Sequence, residues 1–376
     1  MKVLFVHNLY SKTTPTGEEY AVQELAKLLE EHGHQVRWFI RCSDEVRNKR
    51  GCVKAFFTGI YNPRSAKALA KVLDDFKPDV VQVQNLYPLL SSSIFKPIKQ
   101  RRIPIVMRCP NYRLFCPNGR CYNRKGEICE KCFGGKEWHC VLNNCEGSLA
   151  RSTGYALRNA YTRTSHHLID CVDRYIVQSE FQKRIFIEQG IPAEKIVILP
   201  GICPMVKDRD ADSLGDYVSF MGRVSKEKGF DEFVEAAKMN PELPFKVAGC
   251  LDRNYTIPAD CPKNVEFVGH LNGEALDAFY LKSRIVVVPS KWYEGFPNVI
   301  VRGMLLKRPV ITTNIGVLPS IVDHGVNGLV VESGDGKQLG AAIGELYADE
   351  AKCRAYGQAG WEKACAFTPE MQSIRY

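Results

Sequence analysis

Short apolar runs alternate with longer amphipathic stretches in the first half of the chain. The runs at residues 3–7, 35–40, 79–84, 103–107 and 175–178 have the length and composition of strands covered on both faces. Residues 18–32 show the apolar spacing of an amphipathic helix. Strands that alternate with helices predict an α/β fold with a doubly wound parallel sheet. Residues 109–150 lack a clear period and indicate an insertion before a helical stretch at 151–170.

A second alternation begins near residue 216. Strand-like runs occupy 217–221, 245–248, 265–268, 285–289, 309–312 and 328–331, and residues 231–238 have a helical pattern. The segment 201–215 combines Pro, Gly and mixed charge without periodicity, which is typical of a linker. We therefore expect two Rossmann-like domains, 1–200 and 216–376, facing a central cleft. In such sheets ligands bind at the carboxyl ends of the strands.

Composition and charge narrow the class of protein. The chain has 376 residues and a net charge of +9, with +12 in residues 1–200 and −3 in residues 201–376. This asymmetry indicates an anionic partner for the first half. No run approaches the roughly 18 apolar residues of a membrane span, and nothing near Met1 reads as a signal peptide. Fifteen cysteines in a chain of this length do not suggest a secreted disulfide scaffold, so we expect a cytoplasmic protein.

Two motifs in the second half carry candidate chemistry. Gly222-Arg-Val-Ser-Lys-Glu-Lys-Gly229 joins a strand to a helix, so that Arg223 and Lys228 could hold a diphosphate, although a solvated charged loop has the same composition. The second motif places Glu294 after a strand and before a helix; it is Pro289-Ser-Lys-Trp-Tyr-Glu-Gly-Phe-Pro-Asn-Val-Ile300. Glu294 could equally favour the helix dipole, and Asn298 could cap the helix.

At these residues the chain resembles the retaining GT-B glycosyltransferases of family 4, also described as glycosyl transferases group 1. Residues 217–334 resemble the nucleotide-binding half in the order of their motifs, which are Gly222-Arg223, Val247-Ala-Gly249, Phe267-Val-Gly269, Glu294-Gly-Phe-Pro-Asn298 and Val326-Asn-Gly-Leu-Val330. The first half resembles the acceptor-side domain at Lys2 to His7, Gly17-Glu18, Gly33-His-Gln-Val36, Pro78-Asp-Val-Val81 and Asn111-Tyr-Arg-Leu114.

This resemblance implies a hexosyltransferase that uses a UDP- or GDP-sugar and needs no catalytic metal. Arg223 and Lys228 would stabilise the diphosphate leaving group, and Glu294 would contact the transferred sugar. Gly17 would let backbone amides approach the phosphate from the first domain. The donor-binding set implied in full is Gly17, Gly222, Gly249, Val268, Gly295, Phe296, Pro297, Asn298, Val299 and Arg302. The acceptor would be a glycan or a polyprenyl-diphosphate-linked sugar in polysaccharide, lipopolysaccharide or glycoconjugate biosynthesis.

Two positions depart from the family pattern. Arg302 stands where a second Glu usually holds the nucleotide ribose, and Pro110 stands where a His usually points at the donor sugar. An altered donor site that still transfers sugar is one interpretation. The alternative is a catalytically impaired homologue that only binds a sugar nucleotide or a glycan. Activity is favoured because the Arg223 and Lys228 clamp is intact.

Six cysteines fall within thirty residues of the insertion. Cys129 and Cys132 form a C-x2-C knuckle, and Cys116 and Cys145 resemble the cysteine pattern of one branch of the family, so these four predict a structural zinc site. Cys121 and Cys140 would be extra thiols. Buried free thiols, or disulfides formed on oxidation, are the alternatives.

The basic residues around the insertion suggest an anionic membrane surface or a diphosphate-linked acceptor, while a solvated surface is the plainer alternative. Phe56-Phe57 and Ile60-Tyr61 could supply an apolar part of a membrane contact, or belong to the core. No strand face interleaves basic and aromatic residues, so a nucleic-acid partner is not expected.

Overall fold

The computed structural model describes residues 1–11, 17–46, 48–203, 211–369 and 371. Its contacts divide the chain into two compact units, of which the first comprises Met1–Arg124 with Cys129–Pro200 and the second comprises Lys125–Ile128 with Gly201–Tyr376. The predicted linker, 201–215, includes residues 204–210, which lie outside the described residues. No helix among the described residues has the length and apolar character required to cross a bilayer.

The first unit contains a six-stranded parallel sheet in the order β2-β1-β3-β4-β5-β6. Its elements are β1 (Lys2–Leu9), α1 (Gly17–Glu31), β2 (Gln35–Cys42), α2 (Lys49–Ile60), α3 (Pro63–Phe76), β3 (Val80–Val83), α4 (Phe95–Gln100), β4 (Ile105–Arg108), α5 (Trp138–Leu142), α6 (Leu149–Thr164), α7 (His167–Cys171), β5 (Arg174–Val177), α8 (Glu180–Glu188) and β6 (Ile196–Ile198). The strand order reverses between β1 and β3, which is the point where doubly wound sheets bind ligands.

The second unit contains another six-stranded parallel sheet, in the order β12-β11-β10-β7-β8-β9. Its elements are β7 (Tyr217–Met221), α9 (Phe230–Met239), β8 (Phe245–Ala248), β9 (Val265–Gly269), α10 (Gly273–Leu281), β10 (Ser283–Val288), α11 (Asn298–Leu305), β11 (Val310–Thr313), α12 (Leu318–Ile321), β12 (Gly328–Val331), α13 (Gly336–Ala348) and α14 (Glu350–Ala364). Here the order reverses between β7 and β10, so the loops that follow these two strands begin side by side.

Strand β7 shows why the apolar runs form these sheets. All five of its residues are buried, and successive side chains join opposite cores: Val218 and Phe220 pack into one cluster, Tyr217 and Met221 into the other. A strand with helices on both faces is apolar at nearly every position, because neither side faces water, and the one polar residue of β7, Ser219, donates to the Ile285 carbonyl. The predicted α/β fold with two doubly wound sheets is therefore confirmed.

Two details differ from the sequence-based expectation. The helical stretch at 151–170 is two helices, α6 and α7, because His166 between them has a left-handed backbone with φ of 53°. The edge strand β6 was not predicted. Only three residues long, it contains one exposed and one half-buried side chain, and so it lacks the continuous apolar run of the central strands.

Candidate functional site

The loop after β7 carries Arg223 and Lys228, and glycines fix its path. Gly229 has φ of 74°, and a Cβ atom there would lie 1.8 Å from the Pro289 carbonyl oxygen, which follows β10. Gly249, after β8, has φ of 151°, and its Cβ would lie 1.7 Å from the Gly222 carbonyl oxygen. Only glycine allows the main chains to approach this closely. Three loops therefore meet at the carboxyl edge of the second sheet.

Glu294 lies in the loop after β10 and is almost fully buried. Its Oε1 atom accepts hydrogen bonds from Lys228 Nζ (2.6 Å), Ser290 Oγ (2.5 Å) and Trp292 Nε1 (2.9 Å). Burial raises the pKa of this carboxyl, but the charge of Lys228 and the three hydrogen bonds outweigh it and hold the pKa below its ordinary value. Glu294 is therefore a carboxylate, and its Oε2 atom takes no part in this network.

Arg223 lies beside this pair on the same loop. Its guanidinium forms ion pairs with Glu227 and, at 3.5 Å, with Asp252, and it lies 6.0 Å from the ring centroid of Trp292. Lys228 Nζ lies 5.2 Å from the same ring. The buried Nε atom of Arg223 has no hydrogen-bond partner among the described residues. Two cations thus flank one indole, and one donor is available to an anion.

Arg302, the departure from the family pattern, lies on α11 and is paired. Its Nε donates to Asp277 Oδ1 on α10 at 2.8 Å, and its Nη2 bonds the same atom. Asp277 is buried, so this ion pair ties α10 to α11. Asn298 is the first residue of α11 rather than its cap, and its buried Oδ1 lacks a partner among the described residues.

The remaining predicted donor residues lie around the same strand ends. Gly295, Phe296 and Pro297 connect Glu294 to α11, and Phe296 packs edge-on against Phe367 with ring centroids 5.3 Å apart. Val299 lies in the first turn of α11, and its carbonyl accepts a bond from Tyr280. Val268 lies in β9, next to Gly269, whose carbonyl accepts from the Gly249 amide at 2.8 Å.

A second polar cluster lies in the first unit at the ends of β1, β3 and β4. Glu18, Gln84, Pro110 and Arg113 line a cavity of about 20 Å³, which is room for about one water molecule. Arg113 donates to Tyr10 OH at 3.1 Å, and this hydroxyl donates to Glu18 at 3.2 Å. Burial raises the pKa of the Glu18 carboxyl against the opposing charges of Arg113 and Arg108. Pro110 is among the residues that line this cavity, and Gly17 begins α1, although the loop at 12–16 lies outside the described residues.

The zinc prediction finds no support in the described residues. All fifteen cysteines are free thiols, and no group of three or more His, Cys, Asp or Glu side chains among these residues is arranged to hold a metal ion. The four predicted cysteines do lie near one another, since after burial the neighbouring Cys116, Cys145 and Cys129 also raise the pKa of the Cys132 thiol. Cys116 pairs in addition with Cys121, and Cys145 with Cys140. The bond from Cys121 lowers the pKa of Cys116 to about 7, whereas burial raises that of Cys132.

Sequence reasoning did not single out Ser290, Trp292 and Asp252. All three contact the predicted residues Glu294 or Arg223. Ser290 and Trp292 stood inside the quoted motif, so their position within four residues of Glu294 was a usable signal. Asp252 follows β8, and only the adjacency of β7 and β8 brings it to Arg223.

Comparisons with known proteins identify the family of the chain. Residues 16–201 match the family model described as glycosyl transferase 4-like domain, and residues 207–363 match glycosyl transferases group 1. An uncharacterised 42.6 kDa protein in the cps region of Klebsiella pneumoniae is 26% identical over 362 residues, covering 85% of this chain and 89% of that protein. CapM of Staphylococcus aureus, a capsular polysaccharide biosynthesis glycosyltransferase, is 30% identical over 155 residues, covering 38% of this chain and 40% of CapM.

Solved structures show the same fold. Sucrose-phosphate synthase from Thermosynechococcus elongatus superposes with a TM-score of 0.71 at 17% identity, covering 100% of this chain and 96% of that one. Anabaena HepE in complex with UDP-glucose superposes with a TM-score of 0.67 at 17% identity, covering 100% of this chain and 98% of the HepE chain. With two matching family models in the order of the two units, the chain belongs to the GT-B glycosyltransferases of the family 4-like, group 1 type.

Proposed function

We propose that this protein is a retaining glycosyltransferase that moves a sugar from a nucleotide donor to a glycan or lipid-linked acceptor in polysaccharide or glycoconjugate biosynthesis. The observation that carries the proposal is the Lys228–Glu294 pair beside Arg223, at the strand-order reversal of the second sheet. The cps-region relative, CapM and the UDP-glucose complex of HepE support the process and the donor class.

Arg223 and Lys228 are proposed to bind the donor diphosphate. In the described structure both are balanced by carboxylates, so an incoming diphosphate replaces or supplements contacts that already orient them. The free Nε donor of Arg223 adds a hydrogen bond to the phosphate. Their charges stabilise the leaving group as the bond to the sugar breaks. Because these two side chains supply the positive charge, we expect a chelator to leave turnover unchanged.

Glu294 is proposed to receive hydroxyls of the transferred sugar at Oε2, because three donors already hold Oε1 in place. A carboxylate fixed in this way is oriented before the ligand arrives, so little side-chain freedom is lost on binding. The backbone from Gly295 to Val299 and the unpartnered Asn298 Oδ1 complete the proposed donor set with Gly17, Gly222, Gly249 and Val268.

The test is a transfer and donor-hydrolysis assay of the purified protein against a panel of UDP- and GDP-sugars. The anomeric configuration of the product is read by NMR. We expect Lys228→Gln to lower turnover about 100-fold or more. Lys226→Gln is the matched control, because Lys226 is an exposed lysine of the same loop, two residues away. Equal losses in the two variants, or an inverted product, would contradict the proposal.

A protein that binds a sugar nucleotide without transferring it is the second candidate. It is favoured by Arg302, whose guanidinium is engaged with Asp277, and by Pro110, which has no side-chain donor. Nucleotide binding by calorimetry, together with no turnover of any donor in the panel, would select it.

A further inference from the structure

Helix α2 presents apolar side chains to solvent on its outer face. Val53 and Phe57, one helical turn apart, are 61% and 64% exposed, and Tyr61, which follows the last residue of α2, is 41% exposed; these three residues are called the apolar stripe. The opposite face is packed: Gly59 is buried, and Phe56 fits against α6 so closely that a Cβ on Gly154 would lie 2.7 Å from its ring. The stripe is therefore not a loosely packed part of the core.

Basic side chains flank this stripe. Arg50, Val53, Lys54 and Phe57 stand at i, i+3, i+4 and i+7, which places them on one face of α2. Arg50 and Lys54 are exposed, as is Arg64 at the start of α3. Among the described residues, none of these three cations lies within ion-pair distance of a carboxylate. Their charges are available to an external partner.

The sequence around the stripe contains no acidic residue. From position 46 to position 73 there are seven Lys or Arg residues and neither Asp nor Glu. A surface that interacts only with water normally mixes both signs of charge. An uninterrupted basic stretch with apolar side chains at its centre is instead the composition of helices that lie in the interface of anionic membranes.

We propose that the outer face of α2, with Arg50, Val53, Lys54 and Phe57 and the adjoining Tyr61 and Arg64, docks the protein on a lipid bilayer that contains anionic phospholipid. Phe57 and Val53 enter the boundary between headgroups and acyl chains, while the cations meet lipid phosphates. Tyr61 suits the interface, because its ring is apolar and its hydroxyl reaches water. A soluble polyanion would use the cations but leave Phe57 in solvent, so the apolar stripe favours a bilayer.

The test is co-sedimentation of the full chain with phosphatidylcholine vesicles, with and without phosphatidylglycerol. We expect binding only with phosphatidylglycerol, and weakening by salt. The triple variant Arg50→Gln, Lys54→Gln and Arg64→Gln should lower the partition coefficient about 100-fold, at about fivefold for each cation. The matched control, Arg253→Gln, Lys263→Gln and Lys337→Gln, removes the same charge from exposed positions of the second unit and should retain binding.

Phe57→Ser separates insertion from charge attraction. We expect about a tenfold loss of binding. The matched control is Leu251→Ser, which removes an apolar side chain that is 50% exposed in the second unit and should have no effect on binding. If the triple charge variant loses vesicle binding and Phe57→Ser does not, the face binds a soluble polyanion and the proposal is overturned. Equal binding with and without phosphatidylglycerol would also overturn the proposal, as would a dimer that forms without lipid and that Phe57→Ser dissociates. The assay contains no nucleotide sugar, so its outcome is independent of the transfer reaction.

Discussion

Replacing Lys228 with Met should destabilise the second unit through the charge that it leaves behind. The substitution keeps a chain of similar length and removes the ammonium 2.6 Å from Glu294 Oε1. Breaking a buried ion pair from one side costs about 3–5 kcal/mol. The Lys228 side chain is 25% exposed, and Ser290 and Trp292 still donate to the carboxylate, so we expect a smaller loss of about 2 kcal/mol.

The pH dependence identifies the cause. In the wild type the pKa of Glu294 is below its ordinary value of 4.5, so its contribution to stability is present above that pH and is lost as the pH falls through the folded pKa. Without Lys228, only the hydrogen bonds from Ser290 and Trp292 oppose burial, so we expect the pKa of Glu294 to be higher in the variant than in the wild type. The variant then gains stability relative to the wild type as the Glu294 carboxyl protonates. The difference in the free energy of unfolding between the two proteins therefore shrinks from neutral pH towards pH 4.5.

The measurement is urea unfolding followed by tryptophan fluorescence, since Trp292 contacts Glu294 directly. Glu294→Gln provides the control background, because a neutral amide of the same shape does not need a cation. On that background Lys228→Met should cost less than about 0.5 kcal/mol, which makes most of the effect a coupling energy between the two side chains. A stability loss that is equal at every pH, or equal on both backgrounds, would show that Lys228 acts by packing and would refute the electrostatic account.

Three further predictions rest on single features of the two units. Glu294→Gln should lower turnover about 100-fold with little change in nucleotide affinity, measured by transfer kinetics and calorimetry; unchanged turnover would remove Glu294 from the site. Gly229→Ala should clearly lower the urea midpoint of the second unit, because its Cβ meets the Pro289 carbonyl. The control is Gly334→Ala: Gly334 has φ of 83° but open space around it, so this substitution should cost only about 1 kcal/mol in the free energy of unfolding. Burial lowers the pKa of His7 to about 4. The neutral His7 ring should therefore contribute less to the stability of the first unit as the pH drops from 6.5 to 4. NMR of the His7 ring protons should show a titration midpoint near pH 4.

The sequence was sufficient to predict the sheets, because parallel strands covered on both faces need continuous apolar runs. The runs at 217–221 and 328–331 correspond residue for residue to β7 and β12. Glycine and charge in the loop after β7 likewise indicated Arg223 and Lys228. Their partners were harder to predict, since Lys228 and Glu294 are far apart in the chain and meet only because β7 and β10 are neighbours.

The cysteine insertion shows where spacing alone is insufficient. The spacing and the family resemblance predicted one zinc centre for Cys116, Cys129, Cys132 and Cys145, but Cys116 and Cys145 each pair with a further thiol, Cys121 and Cys140, five residues away in the chain. Such pairing depends on local turns, in which Cys121 has φ of 48°, and periodicity carries no information about them. The pairing of Arg302 was also hidden, because its partner Asp277 lies on another helix.

The Arg302–Asp277 ion pair has a consequence for any attempt to place at position 302 the glutamate that the family resemblance led us to expect there. Arg302→Glu alone would bring two carboxylates together at a buried contact between α10 and α11, where like charges repel and neither is well solvated. A functional exchange therefore requires a compensating change at Asp277, for example to Asn or Lys. We therefore expect positions 277 and 302 to tolerate this exchange only when both are altered together, and a redesign of the donor contact that we propose at position 302 has to include Asp277.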